Sequence, residues 1–463
     1  MRIATNSCVL VVLAGTVAAT SCFRGHDDLF CETNVDCKDP ALQFCTGPIP
    51  EIGRQANTCV AEQPILRCNA ATPVCADPAL ICDPLLELCG ECTMASDCAG
   101  KAAGAICLDG VAHEQAHQCG CLDHTDCSSS SLICETGKGA CASADDVIYV
   151  KLNGGMDSAI CGSKSSPCLT ISQGIAQATM PNQQWVHVAS GLYTEPIRIY
   201  ARNIKLVGEP GVEVIHASVG QSVVVVSGDS NVEIDGFLVE GGEQAGETGG
   251  HGIDCQTSTL QVRRSTLKLN KGNGIHALGC KLTVEQSEIG NGPNQGNAEG
   301  GIFIDEGEFA LVNNIIADNG STTGDTSGFG GVLIQGGARG TLEFNTITSN
   351  TMASNGDSAG VQCFQSATNA FTPSNNLIQG NTPAAIQVQG MNCTWRYTAF
   401  GPMDPAGENT TSMPCSLAAD RRLMTGDTAC KDRADPNATV KVDIDGNIRP
   451  AGPAPDIGAS ELP

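Results

Sequence analysis

Residues 145–463 predict an all-β solenoid of parallel coils. Three observations carry that expectation: short apolar strands that recur behind glycines, polar columns that keep a constant offset from them, and a composition rich in Gly (54) but with only 4% aromatic and 16% charged residues. Gly252-Ile253-Asp254-Cys255, Gly274-Ile275-His276-Ala277, Gly301-Ile302-Phe303-Ile304, Gly331-Val332-Leu333-Ile334, Gly360-Val361-Gln362-Cys363 and Ala385-Ile386-Gln387-Val388 start 22, 27, 30, 29 and 25 residues apart. Each reads as a short strand entered through a tight turn. Alternation turns Ile253, Ile275, Ile302, Val332, Val361 and Ile386 inward and leaves Asp254, His276, Phe303, Leu333, Gln362 and Gln387 in one outward column.

A second register supports the first. Val262, Val284, Leu311 and Leu342 align, followed at equal offsets by Ser265, Ser287, Asn314, Asn345 and Asn376, and then by Leu267, Ile289, Ile316, Ile347 and Ile378. Asn270, Asn319, Asn350 and Asn381 form another polar column. Stacked coils need such side chains at their bends, where amides bond to the coil above and below. The longer intervals imply loops at 290–300, 319–330 and 350–359, rich in Gly, Asn, Ser and Asp. With earlier coils at 204–207, 223–226 and 232–237, the expected stack has about 8–10 coils at roughly 4.8 Å each.

The N-terminal part has a different character. Residues 1–22 read as an export signal: Arg2, an apolar run from Val9 to Ala19, then Ala19-Thr20-Ser21-Cys22. That ending resembles a lipobox, with Cys22 diacylated and left as the new N-terminus; an ordinary signal cut nearby is the alternative. Removing Cys8 and Cys22 from the 26 cysteines leaves an even number, able to pair fully in an oxidising compartment. Residues 23–144 hold sixteen of them in four groups of four: Cys31, Cys37, Cys45, Cys59; Cys68, Cys75, Cys82, Cys89; Cys92, Cys98, Cys107, Cys119; and Cys121, Cys127, Cys134, Cys141. Asp36-Cys37, Asp97-Cys98 and Asp126-Cys127 recur at the second cysteine, so the groups read as copies of one small module held by two disulfides. Zinc is the competing reading, against which stands the lack of repeated Cys-x-x-Cys pairs with His partners. The arrangement resembles the Cys-rich repeats of secreted and surface bacterial lipoproteins.

Two stretches carry a resemblance over about residues 145–463. Ile148-Tyr149-Val150, Gly154-Gly155-Met156-Asp157, Ser166-Pro167-Cys168-Leu169-Thr170-Ile171 and Val186-His187-Val188-Ala189-Ser190-Gly191-Leu192-Tyr193-Thr194-Glu195 resemble the opening of bacterial right-handed β-helix repeat proteins of the pectate-lyase-like superfamily. Asp443-Ile444-Asp445-Gly446-Asn447-Ile448-Arg449-Pro450 through Glu461 is similar to the terminal signature of the same family. The resemblance implies a right-handed parallel β-helix, but that family mixes lyases, hydrolases, epimerases and non-enzymatic surface proteins, so no reaction follows from it. Ile171, Ile175 and Ala178 form a short helical stripe suited to covering the open end of the stack. Outside the four groups, Cys161 with Cys168, Cys255 with Cys280, Cys363 with Cys393 and Cys415 with Cys430 are the pairs that proximity along successive coils suggests; buried free thiols at Cys255 and Cys363 are the alternative.

Candidate chemistry is sparse. Gly250-His251-Gly252 with Asp254 and His276 resembles one fragment of the polygalacturonase pattern without its companions. Arg263 and Arg264 near Lys268 and Lys271 would suit a lyase as base and clamp, or simply form a solvated face. Calcium is the one cofactor considered, at Asp305 and Glu306 with Glu308, or at Asp443 and Asp445 beside Gly446, where a type I turn is the simpler reading. The net charge of −25 disfavours nucleic acid as a partner. Two functions remain. The first is a non-catalytic lipoprotein of the bacterial cell envelope, anchored in the outer membrane and facing the periplasm or the surface, that contacts polysaccharide or a cell-surface component through Phe303, Leu333, Gln362 and Gln387. The second is an extracellular polysaccharide lyase or glycoside hydrolase.

Overall fold

The computed structural model describes residues 139–463 apart from 180–183, 216–219, 246–247, 322–328, 353–358, 366–368, 383–386 and 402–406, together with parts of 44–135. The signal segment, Cys8, Cys22, Cys31, Cys37, Cys68, Cys75, Ala385 and Ile386 lie outside the described residues. The chain divides into two compact units, Met1–Ser143 and Ala144–Pro463.

Among the described residues of the first unit, four short antiparallel ladders each set the third and fourth cysteines of one group opposite each other: Cys45 and Cys59, Cys82 and Cys89, Cys107 and Cys119, Cys134 and Cys141. In the last two groups these facing cysteines do not bond to each other. Disulfides join Cys92 to Cys107 and Cys98 to Cys119, then Cys121 to Cys134 and Cys127 to Cys141, a first-to-third, second-to-fourth pattern in both. The recurring Asp-Cys has a local cause. In the 3-10 turn His124–Cys127, Asp126 Oδ2 accepts the backbone N–H groups of Leu122 and Asp123, both at 2.9 Å. Sulfurs that lie within 4.8 Å of one another, such as those of Cys92, Cys98 and Cys119, are bound in disulfides and not held as thiolate ligands.

The second unit is a stack of coils with three parallel faces. The first face runs through Ile197–Tyr200, Val224–Ser227, Ile253–Gln256, Asn273–Leu278, Gly300–Asp305, Val332–Gln335, Val361–Phe364 and Val388–Met391. The second face includes Val147–Val150, Trp185–Val188, Thr259–Arg263, Lys281–Glu285, Glu308–Val312 and Arg339–Glu343. The third includes Thr266–Leu267, Glu288–Gly290, Ile315–Ala317, Thr346–Thr348, Leu377–Gln379 and Ala399–Gly401. The long strands Asn203–Ile215 and Asn231–Glu240 serve the second and third faces in turn. Inward residues from all faces merge in one core, in which Ile253, Ile275, Ile302, Val332, Val361, Val262, Leu311, Ile316 and Ile378 are fully buried.

At the bend between the second and third faces, Arg264, Gln286, Asn313, Phe344, Asn375 and Tyr397 all adopt positive φ, between +43° and +60°. Non-glycine residues seldom do so, and a column of them marks a turn repeated in every coil. The residue after each belongs to the polar column: Ser265 N–H donates to Ser287 Oγ, Ser287 to Asn314 Oδ1, Asn314 to Asn345 Oδ1 and Asn345 to Asn376 Oδ1, at 3.0–3.2 Å. Thr398 ends that column. The bend between the third and first faces carries the matching ladder of Asn270, Asn297, Asn319, Asn350 and Asn381. Asn297 is a member that the sequence did not disclose, because it lies within the inserted 290–300 loop.

One expected register is corrected. Val388 pairs with Val361 and Gln389 with Gln362, so Gln389, not Gln387, continues the outward column. Gln387 is 1% exposed, and its Oε1 accepts both the backbone and side-chain N–H of Asn381 at 3.0 and 2.8 Å. The asparagine ladder needs a last acceptor, and Gln387 supplies it before the strand begins two residues later than the repeat spacing implies.

A helix covers the first coils, and the C-terminal segment lies along the side of the stack. The helix Ile171–Gln177, capped by Thr170, buries Ile171 and Ile175 against the first strands, and its opening N–H groups donate to Glu195. A disulfide between Cys161 and Cys168 closes the loop before it. The C-terminal segment docks along the positive-φ column: Gln286 Nε2 donates to Asp443 O, Asn313 Nδ2 to Val442 O, Asn375 Oδ1 accepts Asp435 N–H, and the guanidinium of buried Arg449 lies 4.4 Å from the centre of the Phe344 ring. The structure also joins Cys255 to Cys280, Cys363 to Cys393 and Cys415 to Cys430, with Cα separations of 6.3, 6.6 and 5.7 Å.

Asn345→Ala removes an acceptor for Asn314 and a donor to Leu311 O and Asn376 Oδ1 inside the stack. It is expected to cost about 2–4 kcal/mol. Glu308→Ala, at an exposed coil edge, is expected to cost about 0.5 kcal/mol or less. Urea unfolding of the two variants checks the difference.

Candidate functional site

The outward column of the first face begins earlier than the sequence repeats disclose. Pairing registers align Arg198, Val225, Asp254, His276, Phe303, Leu333, Gln362 and Gln389 on successive coils. Its two ends differ. Leu333 and Gln362 are 9% and 4% exposed, and Met352 Sδ lies 3.9 Å from Gln362 Nε2. The expected contact strip of Phe303, Leu333, Gln362 and Gln387 is therefore not a continuous open surface. Alternation sets which way a side chain points and not what folds over it. From Arg198 to Phe303 the column is accessible, with Arg198 exposed and Asp254, His276 and Phe303 half-buried.

Within this open section Asp254 Oδ1 lies 3.0 Å from His276 Nδ1, and Gln256 Nε2 donates to Asp254 Oδ2 at 3.0 Å. Burial pushes the Asp254 carboxyl up; the hydrogen bond and charge of His276, the charge of His251 and the hydrogen bond from Gln256 outweigh it and leave the group below its ordinary range. The rings stack along the coil axis. His251 and His276 lie 4.3 Å apart between centroids and 9° from parallel, and Phe303 follows 5.0 Å beyond His276.

His251 is buried beneath this surface. Its Nδ1 accepts the Asn273 backbone N–H at 3.0 Å, and Glu299 Oε2 lies 3.9 Å away. The approach requires glycine at position 272, where a Cβ would come within 2.5 Å of His251 Nδ1. Burial and the neighbouring His276 lower the His251 pKa to about 4, against a smaller pull upward from Asp254. Arg198 reaches Gln221 Oε1 at 2.8 Å; burial lowers its pKa and the charge of Asp254 raises it.

The other candidates lie elsewhere. Arg264 forms a two-pronged ion pair with buried Asp235 at 2.8 and 2.6 Å, and Arg263 lies 3.4 Å from Glu285. They hold the second-face bend together and do not join His251, Asp254 and His276. Asp305 accepts from Gln335 and Glu308 pairs with Lys281, while Glu306 occupies a positive-φ turn, so these carboxylates serve separate partners. Asp443 Oδ1 accepts the N–H groups of Asp445 and Asn447, and its Oδ2 accepts Glu461 N–H and Asn447 Nδ2. With Gly446 N–H bonded to Asp443 O, this is a turn whose oxygens already hold donors, and Asp445 is paired with Arg422. Backbone donors thus stand where the calcium reading needed open carboxylate oxygens.

Residues 218–396, a segment that contains Asp254, His276 and Phe303 but not Arg198, match the family model described as the right handed beta helix region. The domain is a right-handed β-helix. Among solved structures, the β-helix resembles the pectate lyase Pel9A, at 17% identity over 68% of this chain and 96% of that one with a TM-score of 0.38. It also resembles two variants of a pectate lyase from Xanthomonas campestris, at 10% and 11% identity over 51% of this chain and 80% and 78% of theirs, each with a TM-score of 0.20. No curated protein matches the sequence.

An imidazole held by a carboxylate is an acid–base group, and the half-buried ring edges beside it offer apolar contact. Arg198 adds a cation about 10 Å away, two coils along the strip. A double-mutant cycle over Asp254→Asn and His276→Gln is expected to return a coupling of about 1–2 kcal/mol in unfolding free energy. A coupling near zero would overturn the pair.

Proposed function

We propose that the protein is an exported lipoprotein of the bacterial cell envelope that contacts polysaccharide along the open section of the first β-helix face, without turning it over. The observation that carries this reading is the strip of Arg198, Asp254, His276 and Phe303, where a carboxylate, an imidazole and an apolar ring are presented side by side on a rigid sheet. Such a mixture suits a ligand with hydroxyls on its edge and C–H groups on its face. The net charge of −25 favours neutral glycans or cation-bearing surfaces over nucleic acid.

The anchor is inferred from Ala19-Thr20-Ser21-Cys22, and the Cys-rich unit then acts as a protease-resistant stalk. Phe23 after the anchor, in place of Asp, favours the outer membrane, with the β-helix in the periplasm or at the surface. Cys22→Ala is expected to move the protein from the membrane fraction to the soluble fraction. Unchanged partitioning would sink the anchor.

A second reading, polysaccharide lyase or hydrolase, is favoured by the Asp254–His276 pair, which would make His276 Nε2 a positioned base. One experiment separates the two. The full chain is incubated with acidic and neutral polysaccharides while gel retardation and the appearance of unsaturated or reducing ends are followed. The proposal expects retardation that weakens at least about tenfold in Phe303→Ala, consistent with loss of one well-packed aromatic contact, and no new ends. New ends that disappear in His276→Ala would replace the first reading with the second.

A further inference from the structure

His251 sits behind the strip and offers it no exposed edge, yet its contacts tie together the segments that shape it. Its own N–H donates to Ser222 Oγ, its Nδ1 accepts the Asn273 N–H at the entry of the strand that carries His276, and its ring lies flat against His276. On the far side stands Glu299, which accepts a hydrogen bond from Gln244 in the hairpin formed by Gln244–Ala245 and Thr248–Gly249. The imidazole thus meets the Asn273–Leu278 strand and Glu299, while the backbone N–H of His251 holds Ser222.

We propose that His251 is an acid-sensitive latch: in its neutral form it holds the start of the Asn273–Leu278 strand in place through its accepting Nδ1, and protonating it loosens the stack of His276 on Phe303. The reasoning is stereochemical. A neutral imidazole that accepts at Nδ1 carries its hydrogen on Nε2. Adding a proton puts hydrogen on both nitrogens, so Nδ1 can no longer accept, and the buried Asn273 N–H loses its partner. The new cation also lies against the second imidazole.

The groups that face His251 act in both directions. Asp254 from the same coil, three residues on, and Glu299 from the 290–300 loop favour the cation; burial and His276 oppose it, and Arg198 reaches the cluster only through Asp254. Burial is the largest of these, which keeps His251 neutral down to about pH 4. The linkage sign follows. The folded-state pKa is depressed from 6.5, so the unfolded chain binds more protons between about 6.5 and 4. Stability is therefore unaffected above that window, falls as the pH drops through it, and levels off below.

As a statement about the fold the latch stands alone; its effect on ligand rests on the reading of the strip as a glycan contact. The test uses the full chain with isotope-labelled histidines. Nitrogen shifts of His251 are expected to show a bare, accepting Nδ1 at pH 7. Protection of the Asn273 amide, corrected for intrinsic exchange, is expected to fall at least about tenfold as His251 titrates. In His251→Asn the Oδ1 can accept the same N–H without titrating, so protection there should not change with pH; the wild-type nitrogen shifts decide the question if that variant does not fold. Retention on immobilised polygalacturonate and on galactomannan is followed in parallel at pH 7 and pH 4, with a loss expected in the wild type and not in His251→Asn. A hydrogen on Nδ1 at pH 7, titration near 6.5, or equal loss of retention in both proteins would overturn the latch. Amide protection that falls as expected, with neither polysaccharide retained at pH 7, would uphold the latch and reject the glycan reading.

Discussion

The solenoid depends on how backbone groups are satisfied at the bends. Along each face the strands of successive coils pair in parallel, so their N–H and C=O groups need nothing further. At a bend the chain turns through a residue of positive φ and the following N–H leaves the ladder. Ser and Asn side chains from the next coil supply the missing acceptor, and each asparagine passes the arrangement on through its own Nδ2. A buried donor without a partner would cost about 1–3 kcal/mol, so the ladder of each bend is a condition of stacking and not an addition to it. The two ladders also fix register, because a shift of one residue would put an aliphatic side chain where an amide is required.

That requirement shapes the outer surface as well. A bend held from inside by an amide leaves its positive-φ residue facing outward, and at the bend between the second and third faces those residues form a continuous rail. Gln286, Asn313, Phe344 and Asn375 use it to hold the C-terminal segment, which brings Ile444 with Ala459, and Ile457 with Leu462, onto the outside of the third face as two small apolar clusters. Buried Arg449 secures it through Glu461, Asp456 O and Gly458 O. The coils and their cover are therefore one cooperative structure, not a rod with a trailing tail.

The inward columns and most of both polar ladders could be read from the sequence, because each is a single residue type repeated at a fixed offset from a glycine or an aliphatic. What could not be read has physical reasons. Asn297 was hidden by an insertion that changes the spacing without changing the ladder. Gln387 shares its spacing with the outward column, yet it serves the buried ladder, since a polar residue one turn from the strand satisfies either pattern. Leu333 and Gln362 do point outward as alternation requires, yet both are buried, and Met352, ten residues before Gln362, lies against it. The pairing of Asp254 with His276 was closer to legible. The two occupy equivalent positions 22 residues apart, so a carboxylate and an imidazole on adjacent coils must meet at strand spacing. Arg198 was missed because its coil precedes the clear glycine repeats.

The position of the candidate site follows from these constraints. The C-terminal segment covers the third face from the coil of Gln286 and Glu288 onward, and Met352 lies against the first face at Gln362. The early coils of the first face lie outside both covers, and there the outward column changes from Leu and Gln to Arg, Asp and His. A polar side chain on an open face has no role in stacking, since the ladders already satisfy the backbone. Asp254 is nevertheless drawn below its ordinary pKa range, and His251 is held neutral behind it. Both groups are shifted downward, which favours a charged carboxylate and a neutral imidazole on either side of the His276 ring. That is why the proposed contact is placed on the section from Arg198 to Phe303, and not on the acidic turns or the Arg263–Arg264 bend.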